Sequence, residues 1–147
     1  MRRAPASVAV LTVDTGSEKL GLTVSSLTSL SIDPPLVGVS IAREAAMHEL
    51  LREAGGFAAS LLAGGQEWLA QHFARGVPPI GMWNGISTEE ASGAAPLIAG
   101  ALGSLECRLV GEHAVGDHTL FVGEVEAVRL GAAAPPLVFH DGTYRDL

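Results

Sequence analysis

Short apolar and β-branched runs, each closed by a cluster of glycine, proline, aspartate or serine, recur along this chain at intervals too small for long helices. Ser7 to Val13 is the first run. The turn cluster Asp14-Thr15-Gly16-Ser17 leads from it into a second, Leu20 to Ser26, so the two are expected to form a hairpin. Ile32-Asp33-Pro34-Pro35 then breaks the chain, because proline lacks a donor and drives its predecessor toward extended geometry. Leu36 to Ile41 reads as a buried strand.

The period changes after this strand. From Glu44 to Ala54 the apolar residues Met47, Leu50, Leu51 and Ala54 fall at i, i+3, i+4 and i+7, with Glu44, His48, Arg52 and Glu53 on other faces. That spacing predicts an amphipathic helix, stopped by Gly55-Gly56. Phe57 to Leu62 reads as another strand, and Gln66 to Ala74 as a second short helix that Gly76 and Pro78 end. Val77 to Ala95 shows no periodicity and is expected to be an irregular loop or flap, a kind of segment that is more often functional than idle. Ser104 to His113 and His118 to Leu130 flank Ala114-Val115-Gly116-Asp117 and should pair as an antiparallel hairpin. Leu137 to His140 and Thr143 to Arg145 make a smaller β-turn-β unit around Asp141-Gly142. Seven or so strands with two inserted helices, in no regular alternation, predict a mainly β protein built as a small closed or split barrel.

Composition narrows the picture. The 147 residues, 48% hydrophobic and 17% charged, suit one core-forming domain over 1–147 and exclude disorder. With 9 basic against 16 acidic residues the net charge is −7, which repels nucleic-acid phosphates and anionic lipid, so neither nucleic acid nor membrane is an expected partner. Cys107 is the only cysteine, which excludes an intrachain disulfide or thiolate cluster and favours a cytoplasmic setting. Leu105, Cys107 and Leu109 share a strand face, so the thiol is expected to be buried and inert. Val8 to Val13 is too short for a signal-peptide core, and no run reaches the ~20 apolar residues of a membrane span. His48, His72, His113 and His140 share no ligand spacing, so no metal site is expected.

The densest polar signal is the stretch from Thr23 to Ser31, where six hydroxyls occupy nine positions. Such a run suits a ligand that offers carbonyls, ring nitrogens and a phosphate, and it equally suits turn caps on an edge strand. Arg43 precedes the helix that opens at Glu44, where a cation opposes the helix dipole, and its guanidinium fork matches a phosphate. Phe73, Trp68 and Trp83 could wall a pocket or belong to the core.

Thr23 to Val37, Arg43, Gly100 to Arg108, Gly116-Asp117-His118 entering a strand that ends Gly123-Glu124-Val125, Pro136-Leu137-Val138-Phe139-His140 and Tyr144-Arg145 follow one another over nearly the whole chain. In that order they resemble the flavin reductase family of FMN-binding split barrels. The resemblance implies a Greek-key split-barrel homodimer that binds FMN or FAD and reduces it with NADH or NADPH. Many such proteins pass reduced flavin to a separate flavin-dependent oxygenase. By the same resemblance Thr23, Val24, Ser25 and Ser26 line the isoalloxazine ring, and Ser31, Ser40, Ala42 and Arg43 lie toward the ribityl chain and phosphate. His118 stands where the family places a histidine near the nicotinamide, and is the catalytic candidate; its alternative is a turn residue bonded to Asp117. Phe73 joins the cofactor-binding set.

This chain departs from the family pattern in lacking a longer N-terminal helix, in having Ala45-Ala46 where hydroxyl residues follow the arginine, and in having Ser60 near the place of an asparagine. Each substitution removes one prospective flavin contact, which predicts a loosely held flavin. Hydride transfer needs no nucleophile or strong base, so the absence of a catalytic triad fits. Two alternatives are a flavin-binding module without NAD(P)H turnover and an FMN-retaining oxidase or oxygenase.

Overall fold

The computed structural model describes residues 1–75 and 80–147. Its first half runs β1 (Ala6–Ser7), β2 (Ala9–Asp14), β3 (Lys19–Val24), β4 (Thr28–Ser31), β5 (Leu36–Ala42), α1 (Ala46–Ala54), β6 (Gly56–Leu61) and α2 (Glu67–Ala74). The second half runs β7 (Thr88–Glu89), β8 (Leu97–Ile98), β9 (Gly103–Val115), β10 (His118–Leu130), β11 (Leu137–His140) and β12 (Thr143–Asp146).

Seven strands form the main sheet in the order β3-β2-β6-β9-β10-β5-β4, with antiparallel neighbours throughout. Its two outermost strands, β3 and β4, are joined by only three residues, Ser25 to Leu27. Flat, the sheet would hold its edges about 29 Å apart, six strand spacings. The link from Val24 to Thr28 reaches at most ~14 Å. The sheet must therefore curl until its edges meet, and among the described residues no ladder joins β3 to β4. The result is a barrel split along one seam. Ser26, in the link between those edges, is tied to β5: its hydroxyl donates to the Ser40 carbonyl and accepts from the Ser40 amide, both at 3.1 Å.

Barrel packing follows the strand period. β2 is buried at every position from Ala9 to Val13 because the barrel interior lies on one face and helices cover the other. α1 packs on β2, β3, β5 and β6, elements from both halves of the curled sheet. Met47, Leu50 and Leu51 enter the core, as their spacing predicts. Gly55 ends the helix in the left-handed region at φ 69°, its amide returning to the Leu51 carbonyl. The long hairpin β9–β10 turns through Gly116-Asp117 and carries register shifts after Val122 and after Val125, which bend it around the barrel.

Several expectations change. The run Ser7 to Val13 is two strands: β1 pairs with β11 in a small sheet ordered β1-β11-β12, and only β2 joins the barrel. β4 lies inside the hydroxyl stretch, which carries no alternation of buried and exposed residues to announce it. His48 is on the inward face of α1, 3% exposed, because both ring nitrogens find partners there. The loop after α2 is pinned: the Trp83 indole donates to the Lys19 carbonyl at 3.0 Å, and His72 Nε2 lies 2.6 Å from the Met82 carbonyl. The expected helix stop at Gly76 and Pro78 lies outside the described residues. No helix among the described residues is long and apolar enough to cross a membrane.

Candidate functional site at the barrel seam

The seam collects most of the residues singled out in the sequence. β5 and β10 pair with Ala42 opposite His118 and Ser40 opposite Leu120. Directly opposed residues share a face, so Ser40, Ala42 and His118 stand together on the outer face while Val39, Ile41, Thr119 and Phe121 point inward. Arg43 follows at once, its amide donating to the Asp117 carbonyl at 3.0 Å. β4 runs beside β5 with Thr28 opposite Gly38. Continued, that register brings Ser26 to Ser40, where the two bonds between them hold it. Three segments distant in sequence thus meet at one corner.

The polar groups of this corner divide into committed and free. Thr23 is committed, since its hydroxyl donates to the Ala70 carbonyl of α2 at 2.7 Å and ties the helix to the seam. Ser26 is likewise spent on Ser40. The hydroxyls of Ser25 and Ser40 and the guanidinium of Arg43 have no hydrogen-bond or ion-pair partner among the described residues. Arg52, by contrast, is held by Glu112 at 2.6 Å and Glu49 at 3.1 Å. His118 is half-exposed and its Nδ1 lies 2.7 Å from Asp117 Oδ1, which leaves Nε2 facing outward. The hydrogen bond from His118, helped by the nearby Arg43 charge, holds the Asp117 carboxyl below its usual range.

Cavities flank the same corner. One of about 310 Å³ is lined by Ala42, Arg43, Glu44 and Asp117, and one of about 320 Å³ includes Arg43, His48, Glu112 and Thr119. A cleft of about 130 Å³ opens between Thr23, Val24 and Ser25 on one side and Phe139 and Tyr144 on the other. It is large enough for the edge of a ring system only. Elsewhere, a cavity of about 380 Å³ beside Cys107 is lined by Asp14, Glu106 and Glu126, whose charges repel an anionic nucleotide. Among the described residues no group of three His, Cys, Asp or Glu side chains is arranged to hold a metal ion.

A family model described as "Flavin reductase like domain" matches residues 1–147. The chain belongs to that family. It is 41% identical over 145 residues to the NADH-dependent FAD reductase of Streptomyces globisporus, covering 96% of this chain and 79% of that protein. It is 40% identical over 147 residues to the reductase component of 4-hydroxyphenylacetate 3-monooxygenase from Thermus thermophilus, covering 100% of this chain and 92% of that one. The solved structure of the Streptomyces globisporus NADH:FAD oxidoreductase in complex with NAD and FAD fragments superposes with a TM-score of 0.93 at 38% identity, over 99% of this chain and 87% of that one. The Greek-key split barrel is thus the fold of the flavin reductase family.

Within that fold, some expected flavin contacts are displaced. Phe73 is 1% exposed, with its ring against Gly21 and Trp83; it is core, because α2 seats it on β3. Trp83 is half-buried and tied to Lys19. Ser31 sits opposite Leu36, at the far end of β5 from Arg43. Seven residues of extended chain separate Leu36 from Arg43, about 23 Å, so Ser31 and Arg43 do not grip one phosphate. Ser60, 0% exposed, accepts from the Ile98 amide and from Ser104, both at 3.0 Å, and so serves the core instead of a ligand. Ala45 provides no side-chain cap to α1. Sequence reasoning set His48 on a polar face of its helix and did not single out Thr119. The one available signal was a histidine directly beside Met47 on the buried face of an amphipathic helix.

Proposed function

We propose that this chain is an NAD(P)H-dependent flavin reductase: a single flavin reductase-like domain over 1–147, working as a homodimer on FMN or FAD, and handing reduced flavin to a separate oxygenase. One observation carries the reading. Among the described residues, two side chains without a hydrogen-bond or ion-pair partner, Ser40 and Arg43, lie beside His118 at the end of the β5–β10 pair, and Ser25 lines the cleft with Thr23, Val24, Phe139 and Tyr144. That donor set fits a flavin mononucleotide moiety, with hydroxyls for ring or ribityl oxygens and a guanidinium for phosphate. The nicotinamide and the flavin supply the hydride donor and acceptor between them.

The chain's own residues bind and orient. Arg43 would take the phosphate in bidentate fashion, since among the described residues no carboxylate forms an ion pair with its guanidinium. Ser40 and Ala42 give the ring a flat outer face, the alanine being small enough for close approach. The Asp117 carboxylate holds His118 Nδ1, which leaves Nε2 as the nitrogen that would face the nicotinamide. An acidic protein gains little by steering anionic nucleotides at long range, so the local Arg43 charge has to do the selecting.

Mixing the protein with free FMN and NADH under nitrogen should bleach the visible flavin band. Bleaching absent despite flavin binding would leave a carrier and overturn the reductase reading. Flavin that stays bound through gel filtration and ignores NADH would point to an oxidase. In binding assays Arg43→Ala should weaken FMN and spare riboflavin, and His118→Ala should raise KM for NADH. Equal losses for both flavins, or an unchanged KM, would remove the respective residue from its role.

A further inference from the structure

The outer face of the β5–β10 pair carries the proposed site; from the inner face of the same pair runs a polar chain that the reductase reading does not use, buried at Thr119 and His48 and exposed from Glu49 onward. His48 is 3% exposed. Its Nε2 lies 2.7 Å from the Thr119 hydroxyl and its Nδ1 2.9 Å from Glu49 Oε1. Its ring stands edge-on to Phe121 at 5.1 Å between centroids. Glu49 bonds Arg52, and Arg52 bonds both oxygens of Glu112 on β9, at 2.6 and 3.1 Å. The chain Thr119–His48–Glu49–Arg52–Glu112 therefore fastens α1 to both strands of the β9–β10 hairpin. A buried histidine satisfied at both nitrogens has one orientation open to it, since any rotation strands a polar atom.

Position gives this fastening a consequence. Thr119 is the neighbour of His118 in β10, and α1 begins three residues after Arg43. The cavity between α1 and the hairpin has Arg43, His48, Glu49, Arg52, Glu112, Ala114 and Thr119 in its lining. Arg43 itself makes, among the described residues, one backbone bond to the hairpin, from its amide to the Asp117 carbonyl, next to the Ala42–His118 pair that ends the β5–β10 ladder. We propose that His48, through Thr119, is the positioning residue that fixes Arg43 relative to the β5–β10 platform and so sets the distance between the phosphate end and the ring end of the flavin site. The proposal rests on the reading of Arg43 as the phosphate ligand.

A merely structural tie would weaken every flavin alike, whereas a tie that positions Arg43 acts on the phosphate alone. The test is flavin fluorescence quenching by the full chain, with FMN and riboflavin titrated in parallel. Thr119→Val keeps the β-branched shape that the strand favours and removes the hydroxyl. It should weaken FMN about tenfold, the scale of a small misplacement of a binding group, and riboflavin less than twofold. His48→Leu should do the same, and His48→Gln, whose amide still reaches Thr119, should restore most of the FMN affinity. Unchanged FMN binding in Thr119→Val, or equal loss of FMN and riboflavin, overturns the inference. Arg43→Ala serves as the reference. If it loses FMN selectively while Thr119→Val does not, the positioning role fails and the phosphate reading stands. If Arg43→Ala shows no selectivity, the phosphate reading fails and the positioning role falls with it.

Discussion

Gly21→Ala measures how tightly the seam is built. Gly21 lies in β3 two residues before Thr23, and a β-carbon placed there would stand 2.5 Å from Phe73 Cε1 and 2.6 Å from Cδ1. Carbon atoms in contact need about 3.5 to 4.0 Å. The ring has nowhere to go, being 1% exposed and flanked by His72 at 4.9 Å and Trp83 at 5.3 Å between centroids. Nor is the strand free to move, because the Gly21 amide is held on Met82 Sδ at 3.4 Å. Overpacking of a closed core costs about 1 to 3 kcal/mol, and an overlap of about an ångström on two ring atoms belongs in the upper half of that range. At roughly 4 °C per kcal/mol for a domain of this length, Tm should fall by about 8 °C. Phe73→Leu alone should cost about 1 to 2 kcal/mol through lost packing. In the double variant the new methyl occupies the space the ring leaves, so the two changes should cost at least ~1 kcal/mol less together than their sum. Urea melts followed by tryptophan emission suit the purpose, Trp83 being in contact with the ring. A Gly21→Ala protein within 0.5 kcal/mol of its parent, on the scale of an ordinary surface change, would refute the packing account. So would strict additivity in the double variant.

Cys107 is buried among β6 and β10 residues, and burial, with Glu126 and Glu106 nearby, pushes its thiol up to about 12. Alkylation at pH 8 should therefore be negligible in the folded protein and rapid once it is unfolded; labelling at the rate of a free thiol would contradict the burial. The neutral thiol is the folded form, so the unfolded chain ionises first, from its ordinary 9.0, and stability should fall as pH rises from there toward about 12. Cys107→Ala should flatten that slope in thermal melts taken across the range. Ser60→Ala should destabilise by about 1 to 3 kcal/mol, because the Ile98 amide loses its acceptor in a buried place, while FMN affinity stays within twofold. A large change in FMN binding would give Ser60 a role at the site that its sequence position did not predict.

Local pattern in this chain was readable wherever one face decided the outcome. Met47, Leu50 and Leu51 announced α1, and Gly55 its end, because helix periodicity and a left-handed cap are properties of neighbouring residues. What escaped was long-range. Nothing in Ser7 to Val13 marks the point at which β1 leaves the barrel for β11, since both sheets accept the same β-branched residues. β4 was hidden because an edge strand at the seam has its side chains exposed on both faces. Phe73 looked free for a ligand until α2 was seen to lean on Gly21, and His48 looked polar-faced until Thr119 arrived from a strand 71 residues away. At the site, Arg43 and His118 were legible as chemistry, whereas their meeting depended on the register that sets Ala42 opposite His118.

That register explains why a barrel left open along one seam can hold a redox site without sacrificing its core. Along β5 and β10 the period of two assigns alternate residues to opposite tasks. Val39, Ile41 and Phe121 are 0 to 1% exposed and secure the strands from inside, so replacing them should lower stability and flavin affinity together. Ser40, Ala42 and His118 lie on the other face, half-buried and outside the core. Replacing those should spare the melting temperature and alter binding. Thr119 breaks the division, being an inward residue with a polar partner, and it does so at the one point where the strand pair adjoins Arg43. A hydroxyl in a core costs stability unless it is bonded, and the Thr119 hydroxyl is bonded, to His48 Nε2. Its presence there is intelligible if what it holds in place is the cation next door.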